Sequence, residues 1–165
     1  MATSTDDDLQ HWTKSPHNPV IPHTRPGDPG HGVYNVADPS ACWFHEGRYY
    51  MVTGNRPLLR DPEFMKDRTP EELGDTVYLF VSDDLAHWQY LHPFYRSDRT
   101  WTRDFEDNMC PDLFPLGDRH MMLFISHPLG CQYYLGRYEN DRYDHVEFGR
   151  GPEVSGSRPV RAGAG

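Results

Sequence analysis

The chain has 165 residues, of which 25 are acidic and 16 basic, so its formal net charge is −9 at pH 7. This excess of acid disfavours a nucleic-acid-binding surface and a polybasic membrane anchor, because both need clustered positive charge. No apolar run approaches the roughly 20 residues that a membrane-spanning helix requires. The N-terminus carries neither the basic nor the apolar segment of a secretion signal, so we expect a cytoplasmic protein without nucleic-acid or membrane partners.

The chain opens with an acidic segment, residues 1–7, which we expect to be disordered because it has few apolar side chains to bury. Short runs of aromatic and β-branched residues follow, bounded by Gly, Asp, Asn or Pro. This pattern is typical of short strands joined by turns and predicts an all-β fold. The predicted strands are Ala41–Phe44, Arg48–Thr53, Thr76–Ser82, Trp88–Tyr90, Met121–Ser126 and Gln132–Tyr138.

Two segments between these runs predict hairpin turns, because glycine accepts the positive φ that tight turns require. They are Glu46-Gly47 and Leu116-Gly117-Asp118. Asp61–Leu73 predicts one short helix, in which Thr69-Pro70 resembles an N-cap followed by a first-turn proline. Residues 150–165 are rich in Gly, Pro, Ser and Arg and predict a disordered tail, so the folded region is expected to span residues 8–149.

A sequence repeat gives the clearest indication of architecture. Asp8-Leu9-Gln10-His11-Trp12 returns later in the chain as Asp84-Leu85-Ala86-His87-Trp88, and the turn at Gly47 returns at Gly117. A small antiparallel sheet that is repeated roughly every 70–76 residues is typical of propeller blades. Propellers close with about 4–8 blades, so we expect about two blades of an incomplete ring.

Asp38 is the first candidate for a functional carboxylate. It stands before Pro39 at the edge of a predicted strand. Because proline disfavours the helical region for the residue before it, we expect Asp38 to be extended and to point into the central funnel of a propeller. A surface turn is the alternative, since Asp-Pro is common in turns.

A second candidate is the segment from 104 to 112, which holds four carboxylates: Asp104, Glu106, Asp107 and Asp112. Glycoside hydrolysis requires two carboxyl groups, one protonated as the acid and one ionised as nucleophile or base. Neighbouring acids raise one another's pKa, which is one way to keep an acid protonated. A solvated acidic loop is the alternative interpretation.

Other chemistries lack the residue patterns that they need. The ten histidines show neither the i, i+4 spacing nor the paired cysteines of zinc sites, so we expect no metal and no other cofactor. The three cysteines, Cys42, Cys110 and Cys131, form no CxxC pair and predict no disulfide framework. The sequence also lacks the Gly-x-Ser-x-Gly elbow of serine hydrolases.

Taken in order, several stretches resemble glycoside hydrolase family 32, the invertases, inulinases and related β-fructosidases. The resemblance implies two middle blades of a five-bladed β-propeller. The related arabinanase-type propellers share the Asp-Leu-x-His-Trp turn. The matching stretches are Asp8–Lys14 with Asn18–Ile21, Ala37–Pro39 with Trp43–Val52, Ser82–Trp88, Cys110–Asp118 and Gln132–Gly136.

The resemblance also implies roles for individual residues. Asp38 matches the transition-state stabiliser of the family's Arg-Asp-Pro motif, although Ala37 replaces the arginine. The general acid of the family is the Glu of a Glu-Cys-Pro motif, and here Met109 stands in its place. Glu106, or else Asp107, is therefore the candidate acid. We expect the sugar pocket to be lined or braced by Trp43, Asn55, Asp107 and Asp112.

The implied reaction is hydrolysis of a β-fructofuranoside, such as sucrose or a fructan, with retention. The sequence contains no Asn-Asp-Pro nucleophile motif, so we expect this chain to be an incomplete and inactive part of such an enzyme. The alternatives are a non-catalytic carbohydrate-binding or partner-dependent module, and a propeller hydrolase acting on arabinofuranosides. The open strand edges of two blades predict self-association.

Overall fold

The computed structural model describes residues 1–55, 66, 74–96, 106–127 and 129–150. Throughout these residues the regular structure is β-strand without helix, which confirms the all-β prediction. Most of the predicted helix Asp61–Leu73 and residues 151–165 of the predicted tail lie outside this range. No helix in the described part of the chain could cross a membrane. The strands are β1 (Ala2–Thr3), β2 (Thr13–Lys14), β3 (Trp43–His45), β4 (Arg48–Thr53), β5 (Val77–Ser82), β6 (Gln89–Tyr95), β7 (Met109–Leu116), β8 (Arg119–Ser126), β9 (Gly130–Glu139) and β10 (Arg142–Arg150).

Two four-stranded antiparallel sheets form most of the structure. The first sheet has the order β3-β4-β5-β6 and the second has the order β7-β8-β9-β10, so every strand pairs with the next one along the chain. Gly47 and Gly117 lie in the first hairpin turn of their sheets with φ of 81° and 63°, which confirms both predicted turns. The repeat seen in the sequence therefore corresponds to two copies of one meander.

Strand β7 is absent from the predicted strands because it contains two prolines, Pro111 and Pro115. Proline cannot donate a ladder hydrogen bond, but β7 is the edge strand of its sheet, where one side needs no partner. The pairing with β8 is also irregular between Met109 and Asp112, where Cys110 has a φ of 48°. An edge position and a bulge together allow a strand that sequence patterns do not predict.

The two sheets pack against each other through large apolar side chains. Tyr50 and Val52 lie two residues apart on β4, so they share a face, and both are buried in one cluster with Tyr134 of β9. Phe94 of β6 stacks on Tyr143 of β10 with ring centroids 5.8 Å apart. Each such side chain contributes about 1.5–3 kcal/mol when fully buried, so this layer holds the sheets together.

The two ends of the sheets differ in how the chain connects the strands. The connections that join β3 to β4, β5 to β6, β7 to β8 and β9 to β10 lie at one end, called here the turn end, at residues 46–47, 83–88, 117–118 and 140–141. The opposite end, called here the loop end, includes residues 54–55, 74–76, 106–108 and 127. Alternate connections of an antiparallel meander fall on the same edge, which explains this separation.

The first residues are paired in the structure, unlike the disorder predicted for residues 1–7. β1 pairs antiparallel with β2, with Ala2 opposite Lys14. The N-terminal amine of Met1 donates to Asn18 Oδ1 at 2.5 Å, and the Ser15 N–H donates to the Met1 carbonyl at 3.1 Å. Polar contacts therefore hold a segment that has little apolar surface to bury.

The repeated Asp-Leu-x-His-Trp pattern forms two similar turns, called here the His–Trp turns. In each, the tryptophan indole N–H donates to the leucine carbonyl, at 2.8 Å from Trp12 to Leu9 and 3.0 Å from Trp88 to Leu85. Both leucines have a positive φ. The second turn connects β5 to β6, so it lies inside the repeating unit and does not close it.

The carboxylate that caps the first His–Trp turn differs from the one that the sequence alignment indicates. Asp84 accepts hydrogen bonds from the His87 backbone N–H at 2.8 Å and from its ring Nδ1 at 2.7 Å. In the first turn Asp6 accepts the matching bonds from His11, at 3.2 and 3.3 Å. Asp8, which the alignment pairs with Asp84, is not the cap, because this turn has two more residues between the cap and the leucine.

Candidate active site

Asp38 lies at the loop end with an exposed carboxylate. Its φ of 42° is left-handed, which corrects the expectation of an extended conformation. The reason is that the chain is bonded to β4 on both sides of it: Gly54 donates to the Ala37 carbonyl at 2.7 Å, and Ser40 donates to the Val52 carbonyl at 2.8 Å. The backbone must bulge outward between these bonds, and Asp38 occupies the bulge.

Asp38 also contacts the second sheet. The Cys110 thiol donates to Asp38 Oδ2 at 3.3 Å. This hydrogen bond, together with burial and the nearby negative charge, raises the pKa of the Cys110 thiol, so the thiol stays protonated. Asp38 is therefore positioned by both sheets while remaining open to solvent.

Asn55 joins the two sheets at the same end. Its backbone N–H donates to the Asn108 carbonyl at 2.9 Å, and the Asn108 N–H donates back to Asn55 at 3.1 Å. The Asn55 side chain donates to the Gly74 carbonyl at 2.8 Å and accepts from Asn35 Nδ2 at 3.1 Å. Asn55 is buried, so this position braces the loop end, while the predicted contact with a substrate stays a prediction.

The two candidate acids are adjacent in sequence and both are buried. Glu106 is 2% exposed. Asp107 accepts two hydrogen bonds from His127, from the backbone N–H to Oδ1 at 2.8 Å and between ring Nδ1 and Oδ2 at 2.5 Å. His127 is about half exposed and its ring is held in one orientation by the carboxylate. A catalytic role for Glu106 or Asp107 stays a prediction.

Trp43 lies away from this group, whereas Asp112 is two residues after Cys110 on β7. Trp43 is half-buried on β3 and stacks on Tyr50 with ring centroids 5.8 Å apart, toward the turn end. Asp112 is exposed on β7, and its carboxylate accepts the N–H of Leu113 at 3.2 Å. The structure thus brings together Asp38, Asn55, Glu106 and Asp107 at the loop end and separates Trp43 from them.

Sequence analysis did not identify several buried polar groups at the loop end. Tyr134 donates through its hydroxyl to Asp75 Oδ2 at 2.5 Å, which links the second sheet to the segment before β5. Burial, followed by the charge of Asp75, raises the pKa of Tyr134. His127 was one of ten histidines with no distinguishing spacing. Only the position just after a strand, opposite an acidic segment, could have identified it.

The arrangement can accept hydrogen bonds from a polyhydroxy ligand at Asp38 and can hold one proton-carrying ring at His127. In the described residues no group of three or more His, Cys, Asp or Glu side chains converges as a metal site would need. Among the described residues of the loop end, the groups that could act chemically include the carboxylates of Asp38 and Asp107 and the imidazole of His127.

Comparison with known families identifies the chain. It matches the family described as Glycosyl hydrolases family 32 N-terminal domain over residues 1–154. The chain belongs to glycosyl hydrolase family 32. A similar curated protein is sucrose-6-phosphate hydrolase of Bacillus subtilis (strain 168), which is 33% identical over 99 residues. Another is beta-fructofuranosidase, insoluble isoenzyme CWINV5, of Arabidopsis thaliana, which is 29% identical over 114 residues.

This family 32 chain is much shorter than those relatives. The aligned residues are 59% of this chain but 18% of the Bacillus protein, and 68% of this chain but 16% of the Arabidopsis protein. Fructan 1-exohydrolase IIa from Cichorium intybus superposes with a TM-score of 0.58 at 22% identity, covering 85% of this chain and 25% of that one. The fold is thus a partial five-bladed β-propeller in which each four-stranded sheet is a blade.

Two departures from the family pattern fall within the described residues, at Ala37 and at Met109. Met109, at the position where the family resemblance places the acid, is 8% exposed and so packs inside the structure. An apolar, buried side chain cannot donate a proton. Any acid at this site must come from another residue.

Proposed function

We propose that this chain forms the sugar-binding part of a β-fructofuranosidase-type glycoside hydrolase that acts with retention. Asp38 stabilises the fructosyl ring through its hydroxyls, and Glu106 supplies the acid. Asn55 and Asp107 brace the site from inside. The chain alone binds a fructoside but does not hydrolyse it, because the sequence holds no Asn-Asp-Pro nucleophile motif.

The position of Asp38 carries this proposal. The carboxylate of Asp38 is exposed and accepts a hydrogen bond from the Cys110 thiol, and its backbone is in the left-handed conformation. The group is therefore accessible to a ligand and is positioned by both blades. Such a group can accept two sugar hydroxyls without the cost of burying a charge. The family membership supports a fructoside as the sugar.

A second candidate function is a binding module without catalysis. The buried Met109 at the acid position and the burial of Glu106 favour it. The two candidates share a sugar site at Asp38 and differ only in turnover, so one set of experiments separates them.

The first experiment measures turnover and binding by the purified chain. Sucrose and inulin are incubated with it, and released glucose and fructose are assayed. We expect no product, and detectable turnover would contradict the proposed inactivity. Binding of sucrose is then followed by ¹H–¹⁵N NMR, where we expect shifts at residues 36–40 and 110.

The matched variants for this binding measurement are Asp38→Asn and Asp118→Asn. Asp118 is an exposed carboxylate in a hairpin turn at the turn end, so its removal should not change sucrose binding. Asp38→Asn should weaken binding roughly ten-fold, since a hydrogen bond to a charged group contributes about 1.5–3 kcal/mol. Equal binding by the two variants would refute the assignment of Asp38.

Self-association is part of the same proposal. Exposed apolar side chains, Phe44, Leu116 and Ile125, lie on strands β3, β7 and β8. Strands β7 and β10 leave free edges on the second sheet. We expect light scattering to show an oligomer, and a monomer at high protein concentration would contradict this expectation.

A further inference from the structure

A cavity lies between the two blades at the turn end and is called here the turn-end groove. Its volume is about 920 Å³, within the range of small-molecule sites. It is lined from the first sheet by Trp43 and Phe44 and from the second by Phe114, His120 and Tyr138. None of the four residues placed at the loop end lines it. Phe114 lies four positions after Cys110 on β7, which corresponds to about 13 Å of strand.

The walls of the groove are aromatic and partly open to solvent. Phe44 is 63% exposed, although an isolated phenylalanine would gain free energy by burial. The ring of Tyr138 meets Trp43 edge-on at 5.9 Å and His120 edge-on at 5.7 Å. Since Trp43 also stacks on the buried Tyr50, these rings are held rigidly before any ligand arrives.

The rim of the groove supplies hydrogen-bond acceptors. Glu46, Glu139 and Asn140 line it, and so does Asp141, which accepts the Tyr138 hydroxyl at 2.9 Å. The two turns that carry these residues have positive φ at Glu46, Asn140 and Asp141, so each turn is tight. Rigid aromatic faces beside amide and carboxylate oxygens suit a ligand with apolar C–H faces and hydroxyl donors.

The composition of the groove excludes other ligand classes. No lysine or arginine is among the described residues that line it, whereas Glu46, Glu139 and Asp141 are, so phosphate-bearing ligands and nucleic acids would meet negative charge. No metal-binding group of three or more ligating side chains occurs in the described part of the chain. A neutral polyhydroxy compound remains the class that fits both the rings and the rim.

We propose that the turn-end groove is a second sugar-binding site, separate from Asp38, that takes a neutral fructose-containing oligosaccharide. The choice of a fructose-containing sugar rests on the proposed function, whereas the aromatic and acceptor chemistry defines the class of ligand. Phe44 provides the exposed stacking face, and Glu139 and Asn140 accept sugar hydroxyls.

The test uses the full chain and a neutral trisaccharide, 1-kestose, in a ¹H–¹⁵N NMR titration. We expect shifts at Phe44, His120 and Asn140. Phe44→Ala should weaken the binding that these resonances report by roughly three- to ten-fold, the usual contribution of one aromatic contact. Leu116→Ala is the matched control, because Leu116 is an exposed apolar residue at the same end that does not line the groove.

The variants also separate this proposal from the proposed function. Asp38→Asn should leave the groove titration unchanged, and Phe44→Ala should leave the shifts at residues 36–40 unchanged. Shifts confined to residues 36–40 and 110 would overturn the groove and support the proposed function. Shifts confined to Phe44, His120 and Asn140 would support the groove and contradict the assignment of Asp38 in the proposed function. Equal loss in Phe44→Ala and Leu116→Ala, or saturation by glucose 6-phosphate as well as by 1-kestose, would also overturn the groove.

Discussion

The two ends of the blade pair differ in whether their polar side chains are buried between the sheets or lie in exposed turns. At the loop end, polar side chains are buried and bonded between the sheets, as in the Asn55–Asn108 bridge and the Tyr134–Asp75 hydrogen bond. At the turn end, the polar groups of the groove rim are in tight turns, and the aromatic Phe44 faces solvent.

This difference separates what holds the blades in register from what can contact a ligand. A buried polar group costs free energy unless its partner is present, so each bond at the loop end selects one relative position of the two sheets. The turn end has no comparable requirement, because short turns satisfy their own backbone. Substitutions at the loop end should therefore cost stability, and those at the turn end should alter binding.

The largest effect is expected for Gly54→Ala at the loop end. A Cβ atom at this position would lie 2.1 Å from the Asn108 carbonyl oxygen, which is bonded to the Asn55 N–H. The bridge between the sheets would have to move, at a cost of about 3 kcal/mol in the free energy of unfolding. Urea unfolding measures the loss.

Gly117→Ala provides the turn-end comparison for that measurement. No atom lies within 4 Å of its added Cβ, and only its positive φ of 63° opposes the change. The Gly117→Ala substitution should lower the free energy of unfolding by about 1 kcal/mol. Equal losses at Gly54 and Gly117 would mean that the close approach at the loop end is unimportant.

Tyr134→Phe should have the next largest effect. It removes the hydroxyl that donates to the buried carboxylate of Asp75 at 2.5 Å. Leaving a buried acceptor short of one donor costs about 1–3 kcal/mol. Tyr133→Phe, on the opposite face of the same strand and half-buried, should change the unfolding free energy much less. If Tyr134→Phe and Tyr133→Phe have the same free energy of unfolding, the hydrogen bond to Asp75 contributes nothing to stability.

Asp107→Asn tests the contact between the buried acid and His127. The variant keeps the size of the side chain but removes the charge that orients the ring, so we expect a loss of about 1 kcal/mol. The ¹⁵N NMR signals of His127 should show the Nδ1–H tautomer in the parent chain and a mixture in the variant. Unchanged tautomer signals would refute the orienting role, and Asp118→Asn serves as the exposed control.

The smallest effect is expected from acid titration of the His–Trp turns. Hydrogen bonds, first from Ser4, lower the pKa of Asp6 to about 2, and the bond to His87 lowers that of Asp84. Both pKa values lie below the ordinary value of about 3.9 for an aspartate. The stabilisation of the turns by these carboxylates is therefore complete above about pH 4 and is lost as the pH falls through the folded-state pKa.

The indole N–H resonances of Trp12 and Trp88 report this titration. For Trp12 we expect the change near pH 2, and Asp6→Asn should abolish it while leaving Trp88 unaffected. Asp8→Asn should leave the Trp12 titration in place, because Asp8 does not cap the turn. A change centred near pH 4 would mean that the carboxylate is unpaired.

Much of the fold followed from local patterns. Residues Arg48–Thr53 form a run of aromatic and other apolar residues that ends at glycine, and the structure has a strand over the same residues. Strand β7 did not follow, because its prolines are acceptable only at a sheet edge, and sequence patterns do not reveal which strand is at the edge. The cap of the first His–Trp turn is Asp6 rather than Asp8, which aligns with Asp84, because a two-residue insertion is invisible in a five-residue alignment.

The sequence by itself indicated the family and the repeated blade, and it named Asp38 and the acidic segment with Glu106 and Asp107 as site candidates, which stay predictions. These depend on residue types at short spacing, which the chain carries directly. Only the tertiary structure decided that Asp38 meets Cys110, that Asp107 holds His127 and that Trp43 belongs to the opposite end. Those contacts join residues far apart in the chain, and they depend on the register between two sheets, which no local pattern encodes.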